Sequence, residues 1–263
     1  MPTLFLPHGA GPCFFMDWTM GPKDTWDKLA AWIRGIDGSL PESPRALLVV
    51  SAHWETAVPT VLASTHPPLL FDYNGFPPHT YELEWAAPGS PELATRVGAL
   101  LSAAGIESAT EAKRGFDHGV FIPLKLAYPD ANVPTVQLSL RADLDPKAHL
   151  AIGRALAPLR DEGVFIVGSG LSYHNMSGFK GGTGGPASKA FDGWLGAVVE
   201  KEAEARDAAL AAWAEAPSAR DSHPREEHLL PLMVAAGAAG SDRGKAVFRD
   251  VIMGMTTSAI RFG

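Results

Sequence analysis

The sequence predicts one α/β domain: a central, mostly mixed β-sheet flanked by helices. Short apolar runs of strand length alternate with longer helix-forming stretches along the whole chain. The 263 residues suffice for one substantial core, so 1–263 is expected to be a single domain. Glycine (27) and proline (22) exceed average usage and lie between the apolar runs, which implies shaped loops rather than disorder.

The first strand is expected at Thr3 to Leu6, running into Pro7, His8 and Gly9. Trp26, Leu29, Ala30 and Ile33 share one face of a helix over Lys23 to Arg34. Arg45 to Thr56, RALLVVSAHWET, leaves a proline-rich turn as an apolar run and reads as a buried strand. Its end should emerge where open α/β sheets place their ligands, and His53 there is either hydrogen-bonded core or a ligand. Val58 to Ala63 is a further strand. His66 to Pro78, broken by prolines and aromatics, reads as a long shaped loop.

Ser90 caps a helix with Pro91 at its first position and Leu93, Val97, Leu100 and Leu101 on the buried face. Ile106 to Thr110 is a short strand, and Val120 to Tyr128 is helical despite Pro123 near its start. Val133 to Leu140 is a strand, and Asp145 with Pro146 opens a helix to about Arg160. Gly163 to Ser169 is a strand, followed by a flexible glycine-rich segment at Gly178 to Gly185. Pro186 to Ala214 forms helix in two pieces, Pro217 to Asp221 a linker, and Pro224 to Ala236 a helix striped by Leu229, Leu230, Met233 and Val234. Lys245 to Val251 and Met255 to Ile260 are terminal strands.

The net charge of -7, with no Lys/Arg cluster, argues against nucleic acid or an acidic membrane as partner. Cys13 is the only cysteine, which excludes an intrachain disulfide and a thiolate metal cluster. The first residues lack a signal-peptide pattern and no apolar run is long enough to span a bilayer, so a cytoplasmic protein is expected.

Histidines carry the chemistry. His8, His53 and His174 each follow an apolar run, so three imidazoles can meet at one sheet edge. His118 lies between Asp117 and Gly119, and His228 lies in SHPREEHLLPL where a helix begins. Neutral imidazoles without cysteines suit Zn2+ or non-haem Fe2+. His66 and His149 read as surface or capping residues, and His79 is a candidate for the rim. Competing motifs fail on their own terms. GSGLSY breaks the dinucleotide pattern, GGTGG lacks the lysine and hydroxyl of a phosphate loop, and SHPREEH is not HExxH. No GxSxG elbow is present either.

Six ordered blocks carry a resemblance: LFLPHGAGP, VVSAHW, DYNGFPPHTYELEWAAPGSPELA, GFDHGVFIPLKLAYPDANVPTVQLSL, VGSGLSYHNM and HPREEHLLPLMVAAGA. Over essentially its whole length the chain resembles the extradiol aromatic ring-opening dioxygenases of the LigB superfamily, within them the small DOPA 4,5-dioxygenase-like group. The resemblance implies a LigB-like fold and an enzyme that opens a catechol such as DOPA with O2 to a semialdehyde. It implies Fe2+ for activity, in a site that also accepts Zn2+. By the same resemblance His8, His53 and His228 are the metal ligands, with Glu227 the alternative to His228. His174 matches a near-metal histidine, a fourth ligand or the base, and His118 an active-site histidine outside the metal shell that would hydrogen-bond the oxygen co-substrate.

Two departures bear on substrate choice. HGAGP replaces the more usual HGSP, with Cys13 and Phe14 following, and Tyr173 precedes the histidine of the GLSYHN segment. Cys13, Phe14, Trp54, Asp72, Tyr73, Phe76 and Tyr173 are therefore the expected substrate-contact residues. A zinc-dependent hydrolase on this scaffold and a non-enzymatic redox or signalling protein are the rival readings.

Overall fold

The structure, a computed structural model, describes residues 1–263. Eight strands form one sheet: β1 (Thr3–Pro7), β2 (Ala46–Thr56), β3 (Thr60–Leu62), β4 (Ala109–Glu111), β5 (Thr135–Arg141), β6 (Val164–Gly170), β7 (Gly244–Ile252) and β8 (Met255–Phe262). Their order is β4-β3-β5-β2-β6-β1-β8-β7. The central strands β5, β2, β6 and β1 are mutually parallel, while β3 and β8 pair antiparallel at their flanks. The sheet is thus mixed, and the carboxyl ends of β1, β2 and β6 open on one edge, the ligand edge of such sheets.

Nine helices complete the chain: α1 (Asp27–Arg34), α2 (Pro91–Ala103), α3 (His118–Ala127), α4 (Pro146–Leu156), α5 (Met176–Gly181), α6 (Gly185–Val199), α7 (Ala203–Ala211), α8 (Ala219–Ser222) and α9 (Leu230–Ala238). Side chains alternate across the central strands, so each strand feeds two cores. Leu48, Val50 and Ile166 join the core under α2, α4, α6 and α9, whereas Leu47, Val49 and Val167 join the core under α1 and α3. No helix is long and apolar enough to cross a membrane.

Capping follows the expected chemistry. The Ser90 side chain accepts from Leu93 N and the Asp145 side chain from Lys147 N. The long helix to Arg160 instead ends its α-geometry at Leu156, and a 3-10 turn over Ala157–Arg160 finishes it. Pro158 has no N–H to continue the ladder. Pro123 lies in the middle of α3 rather than near its start, because the helix already begins at His118. Its missing N–H leaves the Gly119 carbonyl without a helical donor, and the Ser169 hydroxyl donates to that carbonyl at 2.5 Å. A helix defect thereby ties α3 to β6 beside the site.

Other expectations are corrected. Turns with Thr25 N on Pro22 O and Asp27 N on Asp24 O delay α1 to Asp27. The glycine-rich segment 178–185 is ordered into the end of α5 and the start of α6, with Gly182 in the left-handed conformation at φ 63° as the stop between them. The expected linker at 217–221 contains α8, and the helix expected from Pro224 begins only at Leu230. All residues of α9 are buried, not one stripe, because the helix is packed between the sheet and α4. His149 is no surface residue: it is fully buried, with Nδ1 donating to Asp145 O and Nε2 accepting from Arg141 N.

Candidate metal centre and active site

Each histidine reaches the ligand edge by a different device. His8 directly follows β1, and Gly9 then turns the chain at φ 86°, a conformation that a side chain at this position would strain. His53 lies inside β2, where the register with β5 shifts between Val50 and Glu55. Such a bulge re-aims side chains out of strict alternation, and Ser51 Oγ accepts from His53 N across it at 3.2 Å. His228 precedes α9, its carbonyl accepting from Leu171 N just beyond β6 at 3.0 Å. His174 follows β6 and donates its backbone N–H to Ser222 O.

The imidazoles converge. His8 Nε2 and His53 Nε2 are 3.2 Å apart, and ligand atoms of His8, His53 and His228 all lie within 4.8 Å of one another. Nitrogens sharing one ion through bonds of about 2.1 Å stand roughly 3.0–3.4 Å apart at tetrahedral or octahedral angles. His228 Nδ1 bonds Glu227 Oε1 at 2.9 Å, which leaves Nε2, a buried nitrogen with no partner. A buried polar atom without a partner is costly, and an ion between the three rings would satisfy it. The donor set therefore fits a divalent metal of the zinc or iron type.

Protonation agrees. Burial and then the neighbouring imidazoles push His8 and His53 well below the usual histidine range, and burial pushes His228 down to about 4. These rings stay neutral at physiological pH, the form that binds metal. His223, fully buried on Ser172 O at 3.0 Å, is likewise pushed down to about 3 by burial. Such rings take up protons more readily in the unfolded chain, so stability of the metal-free protein should fall as pH drops below about 6.5. His223 and His228 should each contribute about 1.4 kcal/mol per pH unit until their folded values are reached. Urea midpoints measured between pH 7 and 5 check this, and a flat profile would refute it.

His118 and His174 each carry a carboxylate. Asp72 Oδ1 accepts from both the backbone N–H of His118 at 3.0 Å and its ring Nδ1 at 2.8 Å. It thus takes an orphan N–H at the start of α3 and orients the ring. Burial is the largest influence and raises the Asp72 pKa, but its several interactions with His118 together outweigh it and the net value lies below the usual range. Glu227 Oε1 lies 3.2 Å from His174 Nδ1, and the rings of His174 and His228 stack at 3.4 Å. Glu227 therefore serves two imidazoles, and its hydrogen bonds with them outweigh burial to hold it well below the carboxylate range. Beneath the site, fully buried Asp117 accepts from Ser51 Oγ at 2.7 Å and from Gln137 Nε2, locking β2, β5 and α3 together.

A cavity of about 560 Å³ opens over these rings. It is lined by His8, His53, His118, His174 and His228, and of the expected substrate contacts only by Phe76. Asp72 stands behind His118 instead of facing the cavity. Tyr73 is buried on the His118 ring, 5.8 Å between centroids, its hydroxyl donating to Thr80 O. Cys13 is buried, its sulfur accepting from Ala10 N, and with Phe14 it borders a separate pocket. Trp54 is covered by the Arg114 guanidinium, and Tyr173 is buried against Phe179. These aromatics are apolar bodies that pack beneath loops rather than face the open cleft. His79 is exposed on Phe15 O and does not line the cavity. The aromatic segment ending at Trp18 reads from the sequence as either a pocket wall or a packed loop, and Trp18 does line the cavity, whereas sequence reasoning missed Trp26, Met176, Lys180, Met253 and Thr257.

The family model described as the catalytic LigB subunit of aromatic ring-opening dioxygenase matches residues 2–262. A 4,5-DOPA dioxygenase extradiol of Beta vulgaris is 40% identical over 243 residues, covering 91% of this chain and 87% of that protein. A dioxygenase of Hapsidospora irregularis is 35% identical over 269 residues, covering 97% and 83%. An uncharacterized protein from Escherichia coli K12, known by its crystal structure, superposes with a TM-score of 0.79 at 31% identity, covering all of both chains. Enzymes of this family are metal-dependent, and the histidine cluster could hold an ion. The chain belongs to the LigB family of aromatic ring-opening dioxygenases and is an enzyme of the extradiol type.

Proposed function

We propose that the chain is a non-haem Fe2+ extradiol dioxygenase that opens the ring of a substituted catechol, DOPA or a close analogue, with O2. The observation that carries this reading is the division of labour among five histidines lining one cavity. Three offer ring nitrogens to one point, and the other two are each oriented by a carboxylate. His8, His53 and His228 would hold the ion, and Fe2+ bound there supplies coordination sites and one-electron chemistry for catechol and O2.

The chain's own residues do the rest. A carboxylate on Nδ1 fixes the tautomer and leaves Nε2 free, as with other oriented histidine bases. His174, held on Nδ1 by Glu227, is assigned the removal of a catechol hydroxyl proton at Nε2. His118, held on Nδ1 by Asp72, is assigned the hydrogen bond to the oxygen co-substrate. The largely apolar walls, including Leu29, Phe76 and Ile252, exclude water from the reacting ring. Both oxygen atoms of O2 enter the product, a ring-opened semialdehyde.

The test is anaerobic loading with Fe2+ followed by O2 uptake on a small panel of catechols. One O2 consumed per yellow ring-opened product is expected with Fe2+, and little uptake with Zn2+. Hydrolytic activity of the Zn2+ form without O2 uptake in either would replace this reading with a zinc hydrolase.

A further inference from the structure

Methionine gathers where the cavity meets solvent. Of the seven methionines only Met20 and Met176 are exposed, at 56% and 53%, and both line the cavity. A side chain that is more than half exposed and still lines a cavity stands at its mouth. Met20 precedes α1 and Met176 opens α5, so two separate elements bring a thioether there. Met253 lines the cavity as well, half-buried on the turn between β7 and β8. Met233 and Met255 are fully buried, and half-buried Met1 and Met16 are not part of the lining.

A thioether takes up an oxygen atom reversibly, and oxidation of sulfur side chains follows their exposure. The competing thiol is closed off. Cys13 is buried, and burial pushes its pKa up, so the thiolate that an oxidant attacks scarcely forms. The walls beside the mouth, among them Phe76, Phe179 and Ile252, are apolar. A sulfoxide placed among them keeps its dipole hydrated, and a ligand that covers the mouth has to strip that water.

We propose that Met20 and Met176 form a reversible oxidation site that weakens the cavity's hold on its aromatic ligand. The oxidant is hydrogen peroxide. A methionine sulfur lone pair attacks one peroxide oxygen and the O–O bond breaks; that oxygen stays on sulfur as the sulfoxide, and the other leaves as water. Sulfur is oxidised and peroxide is reduced. That the affected ligand is a catechol rests on the reading above, whereas the oxidation itself does not.

The experiment treats the Zn2+-loaded protein, whose metal does not react with peroxide, with graded hydrogen peroxide. Peptide mass spectrometry reads the oxygen added at each methionine. Met20 and Met176 should be oxidised first, Met253 later, and Met233 and Met255 only when the protein unfolds. Binding of 4-nitrocatechol, read from its absorbance without O2, should weaken about fivefold. It should recover on treatment with methionine sulfoxide reductases for both epimers. The double variant Met20→Leu, Met176→Leu, compared with its own untreated sample, should keep its affinity through the same treatment. Oxidation that begins at Met1, Met16 or the buried methionines overturns the proposal. So does full oxidation of Met20 and Met176 without weaker binding, or an equal loss of affinity in the leucine double variant. Selective oxidation of Met20 and Met176 in a protein that binds no 4-nitrocatechol even before treatment upholds the oxidation site and rejects the catechol reading.

Discussion

Replacing His53 by alanine is expected to abolish ring opening, with a loss of about 10³-fold or more. The change removes one of three nitrogens that converge within 4.8 Å, and the pair His8–His228 left behind cannot hold an ion as three ligands do. Several kcal/mol of metal-borne stabilisation are lost with the ion, and each 1.4 kcal/mol is a factor of ten in rate. The protein should stay folded, because the His53 side chain is 20% exposed and sits at the mouth of the sheet rather than in either core. Metal content by mass spectrometry, turnover and circular dichroism together check the prediction. A folded variant that holds a full equivalent of metal and turns over at a near wild-type rate would remove His53 from the ligand set.

That prediction was reachable from the strand pattern, but its geometry was not. The run before His53 identifies a buried strand, and His8 and His174 follow similar runs, so convergence at one edge could be anticipated. What aims His53 is the register shift against β5 between Val50 and Glu55. A register shift belongs to the pairing of two distant segments, and neither segment signals it alone. The antiparallel flanks escaped for the same reason, since strand order is a property of the assembled sheet.

The cavity walls show the complementary failure. Trp54 and Tyr173 are large, lie beside His53 and His174 in sequence and pack outside the cavity. Adjacent residues on an extended chain point to opposite sides, so nearness in sequence to a site residue does not place a neighbour in the site. Lys180 hid in a glycine-rich stretch that suggested flexibility, although Asn175 caps α5 by accepting from Ser177 and Gly178 N–H. An asparagine five residues before that lysine is the signal that could have revealed the helix. Asp72 lies outside the cavity lining and bonds the His118 ring. It reaches His118, 46 positions on, because the loop holding it is stitched to the α3 entrance by Leu69 paired with Phe116.

This pairing sets up the second large effect. His118→Ala should lower kcat/KM by about 10²–10⁴, the usual worth of a positioned proton-transferring or hydrogen-bonding histidine, while metal content stays near that of the wild type. Asp72→Asn should cost less, about 10–100-fold, because the ring remains and only its orientation is impaired. The decisive measurement is the double variant. If Asp72 acts through His118, the two losses cannot add, and Asp72→Asn in the His118→Ala background should have almost no further effect on kcat/KM. Full additivity would mean that Asp72 works independently, for instance through His53 Nδ1, which lies 4.0 Å from its other oxygen. Stability behaves differently and serves as an internal control. Asp72 also accepts from the His118 backbone N–H, a contact that survives His118→Ala. Asp72→Ala should therefore destabilise by about 1 kcal/mol in either background, as loss of a helix cap does, even where its effect on catalysis has vanished.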